Sequence, residues 1–505
     1  MSVSYGPFRL APARGAVTKR GVTMLAPSDL GASLPAAEPA GVHRSVRWIR
    51  AGDTEDVQRA AVAVLLFASV AAAALVQGGF FARGQFAVAG LVGAAAVVGV
   101  RIGGLRDHDV RPVAVWAGLL AAWLVLRGLL NGSFPTGAGG AVLIAELVVV
   151  IAISRGLDES TREAIVAGLL GLGAFVAMVG WAGVAWRVQP LALPSDGLWR
   201  AASTLTYANA TAALLVPLAL VALALRPERP RSIPLALTSM VLLTGITATL
   251  SRAGLLCLLG GFAVLVVIRG RVAIRALAAP LVGAALALAG TLPSIPAGAP
   301  PRPAVALLAL VAGLGATALL TLSSRSRWST VTIGAVLFGM ALVGIAEAGA
   351  GPLADSARSI WSARGSLASP GRSYGIRDGA RMVDAHPWIG AGPGQVVLHS
   401  GGRYWPFFHD EYLQVLVELG VVGGILLLGL LLAVGHALRR SRPPGSATGL
   451  WAGVVAACAA TAVHGGFDFI WHVPAIPLAV VLLVGLVIAP PGRFVQRPEG
   501  KGGKG

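Results

Sequence analysis

The sequence predicts an all-α protein: a polytopic transmembrane helical bundle of about fourteen spans with one long extracytoplasmic loop. Three observations point there. Apolar residues fill 56% of the 505 positions, charged residues only 12%, and the mean hydropathy is +0.77, which excludes an ordinary soluble globule. Many apolar runs reach the roughly 20 residues that a helix needs to cross a hydrocarbon core. A helix also satisfies its own backbone there, which irregular chain exposed to lipid cannot do.

The runs fall near 58–77, 85–101, 112–130, 137–154, 164–186, 207–225, 233–250, 253–268, 274–291, 303–322, 329–347, 412–437, 447–465 and 471–490. Five regions follow: a disordered cytoplasmic tail over 1–57, a membrane bundle over 58–347, an extracytoplasmic loop with a short helix over 348–411, C-terminal membrane helices over 412–490, and a cytoplasmic tail over 491–505. The first region lacks the compact apolar stretch and cleavage site of a secretory signal. The pair of runs around Ser251 and Arg252 reads as a tight hairpin or as one broken element.

A net charge of +18 might suggest nucleic acid as a partner, but the basic residues stand in short clusters between apolar runs rather than on one soluble face. Topology accounts for them: with both termini in the cytoplasm, the clusters at Arg106 and Arg111, Arg155 and Arg162, Arg226 to Arg231, Arg269 to Arg275, Arg325 and Arg327, and Arg439 to Arg442 all lie inside. The outer face then receives Arg200, the Ser251–Arg252 turn, the long loop, and the turn holding His464, Asp468 and His472. The only cysteines, Cys257 and Cys458, sit in apolar runs as packing residues, with neither a disulfide framework nor a zinc site in view.

The long loop is too large for an idle connection. Its first half, PLADSARSIWSARGSLASPGRS, reads as a mobile polar region; its second half combines a short amphipathic helix with the Pro- and Gly-rich turn HPWIGAGPGQ, which could lie re-entrant against protein. GRSYGIRDGARMVDAHPWIGAGPGQ followed by HDEYLQVLVELGVVGG resembles the signature region of the O-antigen ligase and Wzy-type polymerase superfamily of bacterial membrane proteins. RAASTLTYANATAALLVP resembles that family's Arg and Asn segment, ATLSRAG its SRG-like helix junction, and HGGFDFIWHVPA its usual ending, so the similarity runs in order from about residue 200 to 490.

The resemblance implies transfer of a glycan from an undecaprenyl-pyrophosphate carrier to a glycan, lipid or protein acceptor, on the outer face of the bacterial cytoplasmic membrane. It implies the catalytic role for His409, which matches the His of the family's H-N/D-x-Y-L-like motif; imidazole suits removal of a hydroxyl proton near neutral pH. Asp410 stands where Asn is more usual and can equally cap the helix that follows. Glu411 reads as a first-turn dipole partner or a supporting residue.

A departing diphosphate needs fixed cations, and the guanidinium fork suits phosphate oxygens. Arg200, Arg252 and Arg372 are the candidates, with Arg377 beside them; a snorkelling Arg252 and a solvated helix face for Arg377 and Arg381 are the plain alternatives. Asn209 and Ser251 belong to the supporting motifs. Tyr404, Trp405, Phe407, Phe408 and Tyr412 suit either a sugar or isoprenoid groove, for which Tyr404 and Trp405 are taken, or an interfacial aromatic belt, the preferred reading for most.

The glycines of IGAGPGQ could bring amides to phosphate, but no strand or Walker lysine accompanies them. His464, Asp468 and His472 recur every four residues; a metal site would need one continuous helix there, and supporting or packing roles are preferred. The Asp107–Asp109 pair would suit a metal-dependent glycosyltransferase, yet it falls on the cytoplasmic side, so no metal or cofactor is expected. A transporter or lipid-carrier flippase is the rival reading, disfavoured because ionisable groups gather at the outer edge rather than deep within spans.

Overall fold

The computed structural model describes residues 54–100, 110–323, 352–364, 370–396, 398–400, 403–405, 407–443 and 448–488. The predicted tails up to residue 53 and beyond 488, the Asp107–Asp109 pair and the predicted span 329–347 lie outside them.

Ten described helices are long and apolar enough to cross a membrane: α1 (Thr54–Leu75), α2 (Ala82–Gly99), α3 (Arg111–Leu130), α4 (Phe134–Ser154), α5 (Glu159–Trp186), α6 (Ala208–Leu225), α8 (Arg252–Arg269), α9 (Arg271–Thr291), α10 (Pro303–Leu322) and α13 (Glu411–Arg440). Three shorter apolar helices join them: α7 (Ile233–Ala248), α14 (Gly449–Gly465) and α15 (Ala475–Val487). The chain is a polytopic helical bundle. Short connections make successive helices neighbours, as in α1 with α2, α3 with α4, and α9 with α10.

The centre is α6, buried along nearly its whole length and packed by α5, α7, α8, α14 and α15. Its run of Ala, Leu and Val offers apolar surface all round, as a helix without a lipid-facing side should. Ser251 separates α7 from α8 as the N-cap of α8, its Oγ accepting from the Gly254 amide at 3.1 Å, so the ambiguous pair is two helices.

Two β-hairpins accompany these helices. Strands β1 (Ala192–Ser195) and β2 (Leu198–Ala201) pair antiparallel, Leu193 opposite Arg200, across an Asp196-Gly197 turn in which both residues have positive φ (55° and 73°). Strands β3 (Leu398–Ser400) and β4 (Arg403–Trp405) pair likewise. The segment expected to be mobile contains a helix, α11 (Pro352–Arg364), anchored by a 2.8 Å ion pair between Arg364 and Asp196. The amphipathic segment after it forms α12 (Pro370–Ala385), which packs on α13.

The HPWIGAGPGQ turn has a structural task. Helix α13 breaks at Gly420 (φ 66°, ψ −169°), which splits the helical bonds that would join Val417 to Val421 and Glu418 to Val422. The turn replaces them. The amides of Ala391 and Gly392 donate to the Val417 and Glu418 carbonyls at 2.7 and 2.9 Å, and those of Val421 and Val422 donate to the Pro387 and Trp388 carbonyls at 2.8 and 3.2 Å.

The turn's remaining carbonyls are met from α3. Arg127, 4% exposed, donates from Nε to Ile389 O at 2.7 Å and from Nη2 to Gly390 O at 2.8 Å; Asn131 donates to Ala391 O, and Trp123 reaches Leu419 O at 3.0 Å. The backbone groups split by the break thus find protein partners, as irregular chain inside a bundle requires. The glycine amides of the turn are therefore occupied: Gly392 and Gly394 donate to the carbonyl and the carboxylate of Glu418 on α13, and Gly390 donates to the His386 carbonyl at 3.0 Å.

Gly392 has φ 108°, and a Cβ there would strike the Asn131 side chain. Gly392→Ala should lower the thermal midpoint of the detergent-solubilised protein. Arg127→Ala strands two carbonyls at roughly 1–3 kcal/mol each, and Arg127→Lys, without the fork, should recover only part of that loss in the same measurement.

Candidate active site

One end of the bundle gathers residues that the sequence leaves far apart. The β1–β2 hairpin carries Arg200, the N-terminus of α6 carries Tyr207 and Asn209, the α7–α8 turn carries Thr249 to Arg252, the segment before α13 carries His409, and the α14–α15 turn carries Asp468.

Asp468 is fully buried, a costly state for a carboxylate unless hydrogen bonds surround it. Its Oδ2 accepts from Tyr207 Oη and Asn209 Nδ2, both at 2.6 Å; its Oδ1 accepts from the Phe469 amide at 3.0 Å and faces His409 Nδ1 at 2.9 Å. Burial pulls the Asp468 acid upward, but the hydrogen bonds from His409, Tyr207 and Asn209 and the charge of His409 outweigh it and leave it below its ordinary value. An ionised carboxylate only accepts, so Nδ1 of His409 carries the hydrogen of that bond, and Nε2 is the nitrogen that Asp468 does not engage. The His409 side chain is 38% exposed. The imidazole is thus held by its Nδ1, and its Nε2 lies on the side away from Asp468, an arrangement suited to a general base.

The chain of contacts extends to Arg200. Its Nη2 donates to Asn209 Oδ1 at 2.7 Å and its Nε to Thr249 O at 2.9 Å. Arg offers only donors and the carboxylate only acceptors, so the Asn209 amide between them has one orientation. Burial brings the Arg200 guanidinium down to about 10, with the nearby Arg364 charge adding to the fall, which still leaves it cationic at neutral pH. Two of its nitrogens are therefore occupied by protein, whereas the sequence suggested a phosphate ligand.

The other predicted residues have these places. Arg252 is half-buried at the first position of α8, at the same end as Arg200 through Thr249. Arg372 lies in α12, with its side chain outside the described atoms, as are those of Tyr404 and Trp405 in β4. Arg377 is exposed on α12, its guanidinium 5.3 Å from the Tyr374 ring centre, and Arg381 pairs with Asp378, in keeping with a solvated face.

Asp410 caps α13, accepting from the Tyr412 and Leu413 amides at 3.0 Å; burial pushes its pKa above the ordinary carboxylate value, making it a weaker acid. His464 is buried, and its carbonyl accepts from the Phe467 and Asp468 amides, which sets the turn that presents Asp468. Helix α14 ends at Gly465, so His464, Asp468 and His472 do not share one helical face. Glu411 is 1% exposed and accepts from the Trp471 amide and from His472 Nδ1, a supporting contact rather than a dipole pairing alone.

The aromatic belt is corrected for three residues. Phe408 is 1% exposed. Phe407 stacks on Phe469 at 5.5 Å and meets His472 at 4.5 Å, and Tyr412 donates to Ala462 O at 2.7 Å. Phe469 also stacks on Tyr207 at 5.4 Å and lies 5.4 Å from His409, so an aromatic wall borders the imidazole.

Tyr207, Gln414 and Glu418 were not singled out in the sequence. Tyr207 stands two residues before Asn209 and gave no separate signal. Gln414 and Glu418 continue a buried polar stripe from Glu411 at helical spacing in an otherwise apolar helix, which was a usable cue.

No curated protein matches the chain. Residues 304–428 match the Wzy_C family model, described as O-Antigen ligase, a segment that runs from α10 through the long loop into α13. The match covers the turn, His409 and the helix break, and it supports the likeness to the O-antigen ligase and Wzy-type superfamily that the motifs carry.

Proposed function

We propose that the chain is a glycan ligase or polymerase that transfers a saccharide from an undecaprenyl-pyrophosphate carrier to an acceptor hydroxyl at the outer face of the cytoplasmic membrane. The observation that carries this reading is the half-exposed His409 held through Nδ1 by the buried Asp468.

In the proposed reaction the acceptor oxygen attacks the anomeric carbon while His409 Nε2 takes its proton. The bond from that carbon to the diphosphate breaks, and its electron pair leaves on the carrier. One displacement gives inversion. Asp468 stabilises the imidazolium that forms, and Tyr207, Asn209 and Arg200 keep Asp468 ionised and aimed. Arg252, with Arg372 and Arg377 from α12, would neutralise the diphosphate.

The outward orientation rests on the basic clusters at the opposite end, where Arg229 pairs with Glu163 at 2.9 Å and Arg269 with Glu228 at 3.5 Å. The acceptor class, whether glycan, lipid or protein, is left to experiment, and no obligatory metal enters the scheme.

The test supplies a lipid-linked oligosaccharide and acceptor to the purified protein. His409→Ala should cut turnover on the order of 100- to 10,000-fold, and Arg252→Ala should depress it with a raised KM for the donor. Near-normal transfer by both would remove the mechanism. Asp468→Asn, which keeps the shape but removes the charge that fixes the imidazole tautomer, should lose at least about a hundredfold in kcat.

A further inference from the structure

His409 and Asp468 form one of two imidazole–carboxylate pairs between the same two segments. In the first, the imidazole precedes α13 and the carboxylate lies on the α14–α15 turn. In the second the roles are exchanged: Glu411, at the start of α13, lies 3.1 Å through Oε2 from Nδ1 of His472 on the turn, and its Oε1 accepts the Trp471 amide hydrogen. Glu411 is 1% exposed, so its charge must be met within the protein. Tyr412 adds to the same joint, with its ring edge-on to Trp471 at 5.3 Å.

We infer that Glu411 and His472 are a positioning pair for His409, locking the start of α13 onto the α14–α15 turn so that the imidazole meets Asp468 in one orientation. A single hydrogen bond between two segments leaves them free to pivot about it. A second, crossed bond a few residues away removes the pivot. The inference rests on the glycan-transfer reading, because positioning matters only if His409 works as a base.

Burial pulls the His472 imidazole down, but the carboxylates of Glu411 and Glu418, both on α13, outweigh it and set it above the ordinary histidine range. Gln414 lies between those two carboxylates, donating to Glu418 at 2.7 Å.

The experiment measures kcat and KM of the full-length protein for a lipid-linked oligosaccharide in Glu411→Gln, His472→Leu and His472→Gln, each alone and combined with Asp468→Asn. Alone, Glu411→Gln and His472→Leu should lower kcat about 10- to 100-fold with KM changed less than about twofold, the scale of losing a partner that orients a working group. His472→Gln, which keeps an N–H donor, should recover part of the loss. In the Asp468→Asn background the further loss should shrink to less than about threefold, since no aligned imidazole is left to position.

Losses that multiply in the double variants would overturn the inference, as would wild-type kcat in His472→Leu. The hydrogen-bonded Nδ1–H resonance of His409, assigned by its loss in Asp468→Asn, gives a readout without turnover. It should also weaken in Glu411→Gln and His472→Leu, and an unchanged signal in both sinks the pair's role. A wild-type protein that transfers no glycan while this resonance responds as expected would instead count against the glycan-transfer reading alone.

Discussion

The end of the bundle is organised around one buried negative charge. Asp468 has no exposure to water, and a carboxylate so placed is tolerable only if its lone pairs are met by donors. The donors come from the N-terminus of α6, from the turn's own backbone and from the segment before α13. Arg200 is drawn in behind Asn209 and is itself tied to the α7–α8 turn. Satisfying one acid therefore fixes the relative placement of five chain segments, and the imidazole that faces outward is the member left with something to give.

A second constraint acts on the backbone. The break at Gly420 would be expensive in a membrane if its split hydrogen bonds had no replacements. The Pro- and Gly-rich turn supplies replacements on one side, and α3 supplies side chains on the other. The benefit is a firm seat for the chain that leads into β3, β4 and His409. Precision at the imidazole thus depends on backbone bookkeeping along both edges of α13.

Much of the architecture was legible in the sequence because apolar run length is a local property: the predicted spans and the described helices agree to within a few residues over most of the chain. The residues of the site were legible as an assortment. Arg200, Asn209, His409 and Asp468 stood out as polar chemistry at one membrane edge, but which of them touch is a long-range fact that no spacing encodes. Arg200 was read as a ligand for phosphate, and no spacing announced that it is joined to Asn209 and Thr249. The glycine-rich turn was read as re-entrant chain against protein, but the break it repairs, Gly420, hides inside VELGVVGG, so its task was not legible. The Asp196-Gly197 dipeptide between two short runs was a hairpin signal that went unused, and Arg127, a lone charge in an apolar span, was a cue for a buried partner.

Arg127 also bears on biogenesis. Its acceptors, Ile389 and Gly390, follow it by 262 and 263 positions, so α3 must leave the ribosome long before they exist. Until they arrive, the Arg127 guanidinium lacks the acceptors it has in the finished bundle. The seating of the turn is then a late event in maturation, since it cannot precede synthesis of the chain beyond Gly390.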